Sequence, residues 1–201
     1  MATEHADQGR RIEPLAPADH GSLVNALERI TDFFGTVAVW LVPPTILLGL
    51  TNVVLRRIGA GMGRSLTSNA LIEMQWYLYG VIFLLSLAYV LKNQVNVRVD
   101  FWFANRSVKT KAWIDFIGHF IGLIPFCVIG IWISINPVLF SWQIREGSPD
   151  PSGLPRYPIK TMILVGLILL SIQAVAELFK LIRVLRGIES YDVSKQPVRV
   201  E

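Results

Sequence analysis

The sequence predicts an all-α integral membrane protein, four transmembrane helices preceded by a short amphipathic surface helix. Three observations carry this. Of 201 residues, 52% are hydrophobic and only 17% charged, and the mean hydropathy of +0.47 lies outside the range of soluble domains. The apolar residues gather in four runs, each long enough for the roughly 20 residues that a helix needs to cross a bilayer. The alternation of a membrane barrel is missing, so the runs read as helices, which satisfy their own backbone polar groups inside lipid.

Taken in order, residues 1–21 are mixed polar with two prolines and are expected to form a disordered tail. From Ser22, the residues Leu23, Val24, Leu27, Ile30 and Phe34 recur at helical spacing, with Asn25, Glu28 and Arg29 on the other face. That pattern predicts a helix lying on the membrane surface. The first span covers 33–55, and there Pro43 and Pro44 withhold two backbone donors, which predicts a bend or break. The second span covers 71–91. The third, 112–142, is the longest: a straight helix from Trp113 to Trp142 would reach about 44 Å against a hydrocarbon core of about 30 Å. It has to tilt, kink at Pro125 or Pro137, or project beyond the lipid. Its tryptophans, with Trp76, suit the two interfacial belts, and Gly118 with Gly122 forms a small-xxx-small pair that lets another helix approach. The fourth span covers 161–182. It completes a membrane domain over 22–185, and a polar tail follows over 186–201. The first 31 residues lack the short apolar core of a cleaved signal peptide, so the first helix is expected to serve as the targeting signal.

Lys and Arg placement predicts orientation. With four spans, the amino-terminal segment, the middle loop and the carboxy-terminal tail share one side and carry thirteen basic residues, against six on the other side. Both termini are therefore expected in the cytoplasm. The net charge of +4 and pI near 9.4 are explained by basic residues at membrane ends, where anionic lipid attracts them, and imply no nucleic acid. The single cysteine, Cys127, allows no internal disulfide.

Ionisable groups inside spans are the first place to seek function. Glu73, Asp115, His119, Glu177 and Lys180 all fall within about two turns of a helix end, none at the midplane where transporters place substrate and ion sites. Lys111 stands one turn before Asp115 and Lys180 three residues after Glu177, so local helical ion pairs account for both carboxylates. No nucleophile elbow, phosphate-cradling loop or Cys/His cluster is present, and the chain is not expected to be an enzyme.

Between the last two spans lies "SWQIREGSPDPSGLPRYPIK", residues 141–160, with four prolines. Prolines stiffen it, so Arg145, Glu146, Asp150 and Arg156 are either held in a fixed charged display or packed against helices of this or another subunit.

The run "EMQWYLYGVIFLLSLAYVLKNQVNVRVDFW" (73–102), followed by "AWIDFIG", "SPDPSGLPRYPIK" and "AVAELFK", resembles the small membrane subunit of tripartite ATP-independent periplasmic (TRAP) transporters, the DctQ-type permease, over roughly residues 30–182. Glu73 and Trp76 match the start of that family's second helix. "NVRVD" matches its closing motif with Asn96 in place of the common histidine, and keeps Arg98 and Asp100. The resemblance implies a non-catalytic scaffold in the bacterial inner membrane, bound to a large multi-span subunit and to a soluble periplasmic protein that captures an organic acid. It also implies sodium-driven import, with substrate and sodium sites in the large subunit and no cofactor here. On that reading Arg145, Glu146, Asp150 and Arg156 are candidates for docking the binding protein. Glu73, Trp76, Arg98, Asp100, Gly118 and Gly122 are candidates for contacting the large subunit. The alternatives are a small dimeric exporter working through Glu73 and a cytochrome-type anchor, for which His119 would have to find its second haem-ligating histidine in another subunit.

Overall fold

The computed structural model describes residues 22–94 and 107–187. Arg98 and Asp100, Asn96, the expected tail over 1–21, and all of the expected tail over 186–201 from residue 188 on lie outside the described residues. The elements are α1 (Ser22–Met62), α2 (Asn69–Lys92), α3 (Val108–Ile117), a π-helical turn (Gly118–Leu123), α4 (Ile124–Gln143) and α5 (Tyr157–Leu185). Four helices are long and apolar enough to cross a membrane, the third being Lys109–Gln143, made of α3, the π turn and α4.

The expected surface helix is not a separate element. The α1 helix is a single helix of 41 residues, about 61 Å long and twice the hydrocarbon thickness. Nothing between Ser22 and Phe33 breaks a helix, and the buried stripe Val24, Thr31, Gly35 and Ala38 runs on into the bundle, so tertiary contact keeps the segment aligned with the span. Nor does α1 break at Pro43–Pro44. The prolines deprive the Val39 and Trp40 carbonyls of their donors, and beside them the Thr45 hydroxyl donates back to the Leu41 carbonyl at 2.7 Å.

In the third span the irregularity falls just ahead of Pro125. There the Ile124 N–H reaches back five residues to the His119 carbonyl, next to a proline that already interrupts the ordinary ladder. Pro137 sits within α4 without ending it.

The central helix is α5. In its most apolar stretch 44% of residues are buried, against 6% in the third span. It packs on α2 and α4, touches α1 and α3, and α1 packs on α2. Ala38, Leu85, Ala88 and Leu169 form the main core, flanked by Phe34, Val81 and Met162. Gly166 lets α2 and α5 close up: a Cβ there would lie 3.0 Å from the Leu84 carbonyl oxygen. The two ends of the bundle differ. One, the loop end, carries the α1–α2 turn and the 144–156 connection; the other, the lysine end, carries Lys92 and Lys180.

Candidate functional site

At the loop end, α4 stops with two reversed bonds. The Glu146 N–H donates to the Ser141 carbonyl at 3.0 Å and the Arg145 N–H to the Trp142 carbonyl at 3.2 Å, with Arg145 left-handed at φ 46°. This is the Schellman way of ending a helix. The chain then turns on itself, Asp150 N–H to Ser148 Oγ at 3.1 Å and Gly153 N–H to the Asp150 carbonyl at 3.1 Å, and returns where the Arg156 N–H meets the Glu146 carbonyl at 2.8 Å. The Glu146 carboxylate accepts from Lys160 Nζ and from Ser141 Oγ at 2.6 Å. The Lys160 ammonium and then the Ser141 hydroxyl hold its carboxyl below the usual carboxylate range.

The loop is clasped by one face of α2. Asn69, Glu73 and Tyr77 stand one turn apart. Asn69 Nδ2 donates to the Pro151 carbonyl at 3.0 Å and the Tyr77 hydroxyl to the Pro155 carbonyl at 3.2 Å. Between them the Glu73 carboxylate accepts from Ser148 Oγ and from the Leu154 N–H, and only 2% of the residue is exposed. On the far side Trp142 Nε1 donates to Thr161 Oγ1 at 2.8 Å, and its ring rests on Tyr157 at 4.5 Å.

The clasp changes the picture of a charged display. Arg145 and Asp150 are exposed, whereas Glu146 and Arg156 are half-buried, Glu146 because its carboxylate is bonded to Ser141 of α4 and Lys160 of α5. Glu73, a candidate contact for the large subunit, is enclosed within this chain by its own loop, where a carboxylate near a helix end satisfies loop donors better than lipid could. Trp76 is exposed, its ring edge-on to Tyr77 at 4.4 Å. A Cβ added at Gly118 or Gly122 would meet nothing within 4 Å, so neither glycine is used for packing among the described residues.

At the lysine end a chain of polar groups crosses three helices. Thr31 Oγ1 donates to Gln173 Oε1 at 2.8 Å, and Gln173 Nε2 to Glu177 Oε1 at 2.8 Å. Lys180 then pairs with Glu177 at 3.0 Å and with Glu28, and Lys92 pairs with Glu28 at 3.5 Å and Asp32 at 2.6 Å. The local Glu177–Lys180 pair is as expected, but its interhelical extension through Glu28, Asp32, Lys92 and Gln173 is not visible from spacing on one helix. The available signal was that Glu28 and Asp32 share a face four residues apart, as do Gln173 and Glu177, with a lysine ending α2.

Near this end a cavity of about 380 Å³ opens between α2, α3, the π turn and α5, lined among others by Leu91, Asp115, Gly118, His119 and Glu177. His119 Nδ1 lies 2.6 Å from the Asp115 carbonyl oxygen. No group of three or more His, Cys, Asp or Glu that could hold a metal occurs among the described residues. What these features do chemically is hold helices and a loop in place.

Comparison with protein families matches residues 45–184 to the family described as "Tripartite ATP-independent periplasmic transporters, DctQ component". No curated protein and no solved structure matches the chain.

Proposed function

The chain belongs to the DctQ component family of tripartite ATP-independent periplasmic transporters, and on that premise we propose that it is a scaffold subunit without a transport site of its own. It is a multi-pass transporter component and not an enzyme. In the proposed role it holds a large multi-span membrane subunit and helps seat a soluble binding protein that delivers an organic acid. Sodium coupling and the sites for sodium and substrate belong to the large subunit. The family match carries this reading. It is supported by a third span that buries 6% of its most apolar stretch in the chain and leaves Phe120, Trp132 and Ile133 exposed. An exporter working through Glu73 fits poorly, because loop donors occupy both carboxylate oxygens.

The proposed contacts for the large subunit are Trp76, Gly118, Gly122, Arg98 and Asp100. Removing one partner of a desolvated ion pair costs about 3 to 5 kcal/mol, against about 0 to 1 kcal/mol for an exposed one. Arg98→Ala and Asp100→Ala should therefore lower recovery of a co-expressed large subunit on a tagged chain; undiminished recovery would remove both residues from the interface.

The proposed location is the bacterial inner membrane with both termini cytoplasmic, supported by the thirteen-to-six split of basic residues. A reporter fused after Glu201 should then behave as cytoplasmic and one inserted at Ser152 as periplasmic, and the reverse pattern would invert the topology.

A further inference from the structure

At the loop end two of the three acidic side chains, Glu73 and Glu146, are drawn inward, whereas four of the six basic ones are left outside, Arg156 and Lys160 being half-buried. Glu73 is buried under the loop and Glu146 is bonded to Lys160 and Ser141. Arg56, Arg57, Arg64 and Arg145 are all exposed, and none of the four is in an ion pair among the described residues. Asp150 is the exposed carboxylate of this end. The Asn69–Pro151 hydrogen bond ties the start of α2, which follows the turn bearing Arg64, to the loop bearing Arg145, so the arginines of both connections belong to one end of the bundle.

Arg145 carries a second mark. It occupies the left-handed position that ends α4, at φ 46°, where glycine closes the same two bonds without the clash an L side chain suffers. The backbone bonds need no side chain there, and the guanidinium is exposed. An arginine at that position costs the fold stability that a glycine would keep, and the residue is exposed.

We propose that the loop end presents an arginine face, including Arg145, which binds an acidic surface on the soluble component of the transporter. This rests on the reading of the loop end as the docking side and adds the chemistry of the partner to it. Such exposed charges act through long-range attraction and orientation, so they set the rate and salt dependence of encounter more than they set close packing.

The test uses the assembled membrane complex in nanodiscs of zwitterionic lipid, titrated with its soluble binding protein at low and high salt. Arg145→Gly relieves the backbone while deleting the charge. The complex should assemble with an unchanged or higher unfolding temperature, yet its apparent Kd should rise by about three- to tenfold at low salt, a difference that shrinks as salt screens the charges. Arg64→Glu should act in the same direction.

If Arg145→Gly and Arg64→Glu bind as wild type does at low salt, the arginine face is not the contact, although docking at this end still stands. If a complex with residues 147–153 replaced by a Gly-Ser linker also binds as wild type does, the docking reading itself fails. If the variants differ from wild type only in affinity for vesicles rich in anionic lipid, the face is a headgroup anchor and the proposal is overturned.

Discussion

Lys180→Met should cost the bundle about 3 to 5 kcal/mol, the range for removing one partner from a buried ion pair. The Lys180 side chain is 12% exposed and stands between Glu177, 5% exposed, and Glu28, 15% exposed. Methionine keeps most of the volume and removes the ammonium. Two carboxylates from α5 and α1 then face each other without the ammonium between them, and among the described residues Glu177 keeps its bond from Gln173. Lys92 still reaches Glu28 at 3.5 Å, which limits the loss. The check is equilibrium unfolding in mixed micelles, with Glu28→Gln/Lys180→Met recovering part of the loss because one of the opposed charges is gone. A loss under about 1 kcal/mol would mean that the network is solvated like a surface salt bridge.

The second large effect is expected at Gly153. A Cβ there would meet the Ser148 side chain and come within 2.7 Å of Glu73 Oε2. Ser148 is met at its own Cβ, so no rotation about its side chain makes room. Gly153→Val has to lift the loop from α2, which breaks the bonds from Ser148 Oγ and the Leu154 N–H to Glu73 and leaves a buried carboxylate short of donors. Overpacking and lost charge-assisted bonds together cost about 2 kcal/mol, so the Leu154 amide should exchange with solvent roughly thirtyfold faster. Gly147→Ala is the control, since nothing lies within 4 Å of its Cβ position. Equal protection of Leu154 in both variants would remove Glu73 as the anchor of the loop.

These two sites also show what the sequence makes legible. The spans expected at 71–91, 112–142 and 161–182 correspond to Asn69–Lys92, Lys109–Gln143 and Tyr157–Leu185, because long runs without charges admit few other structures in lipid. The first span, expected from residue 33, begins at Ser22. The amphipathic pattern of its first eleven residues suits a membrane surface and a helical bundle equally. What decides is that Glu28 and Asp32 meet lysines on α2 and α5, contacts that leave no periodic trace in α1. The loop is the harder case. Glu73 is bonded to a serine and a backbone amide some 75 and 81 residues away, and bonds to backbone carry no residue signature. Prolines in 149–158 announce a shaped loop; that it is shaped around a carboxylate of α2 is legible only in the folded chain.

On the proposed reading this chain supports transport without performing it. The most direct measurement is sodium-driven uptake of the organic acid into proteoliposomes supplied with the soluble binding protein, comparing this chain alone, the large subunit alone, and both together. A scaffold subunit gives no uptake alone, and uptake is full only when both membrane subunits are present. Uptake by this chain alone, or equal uptake by the large subunit without it, would contradict the scaffold role.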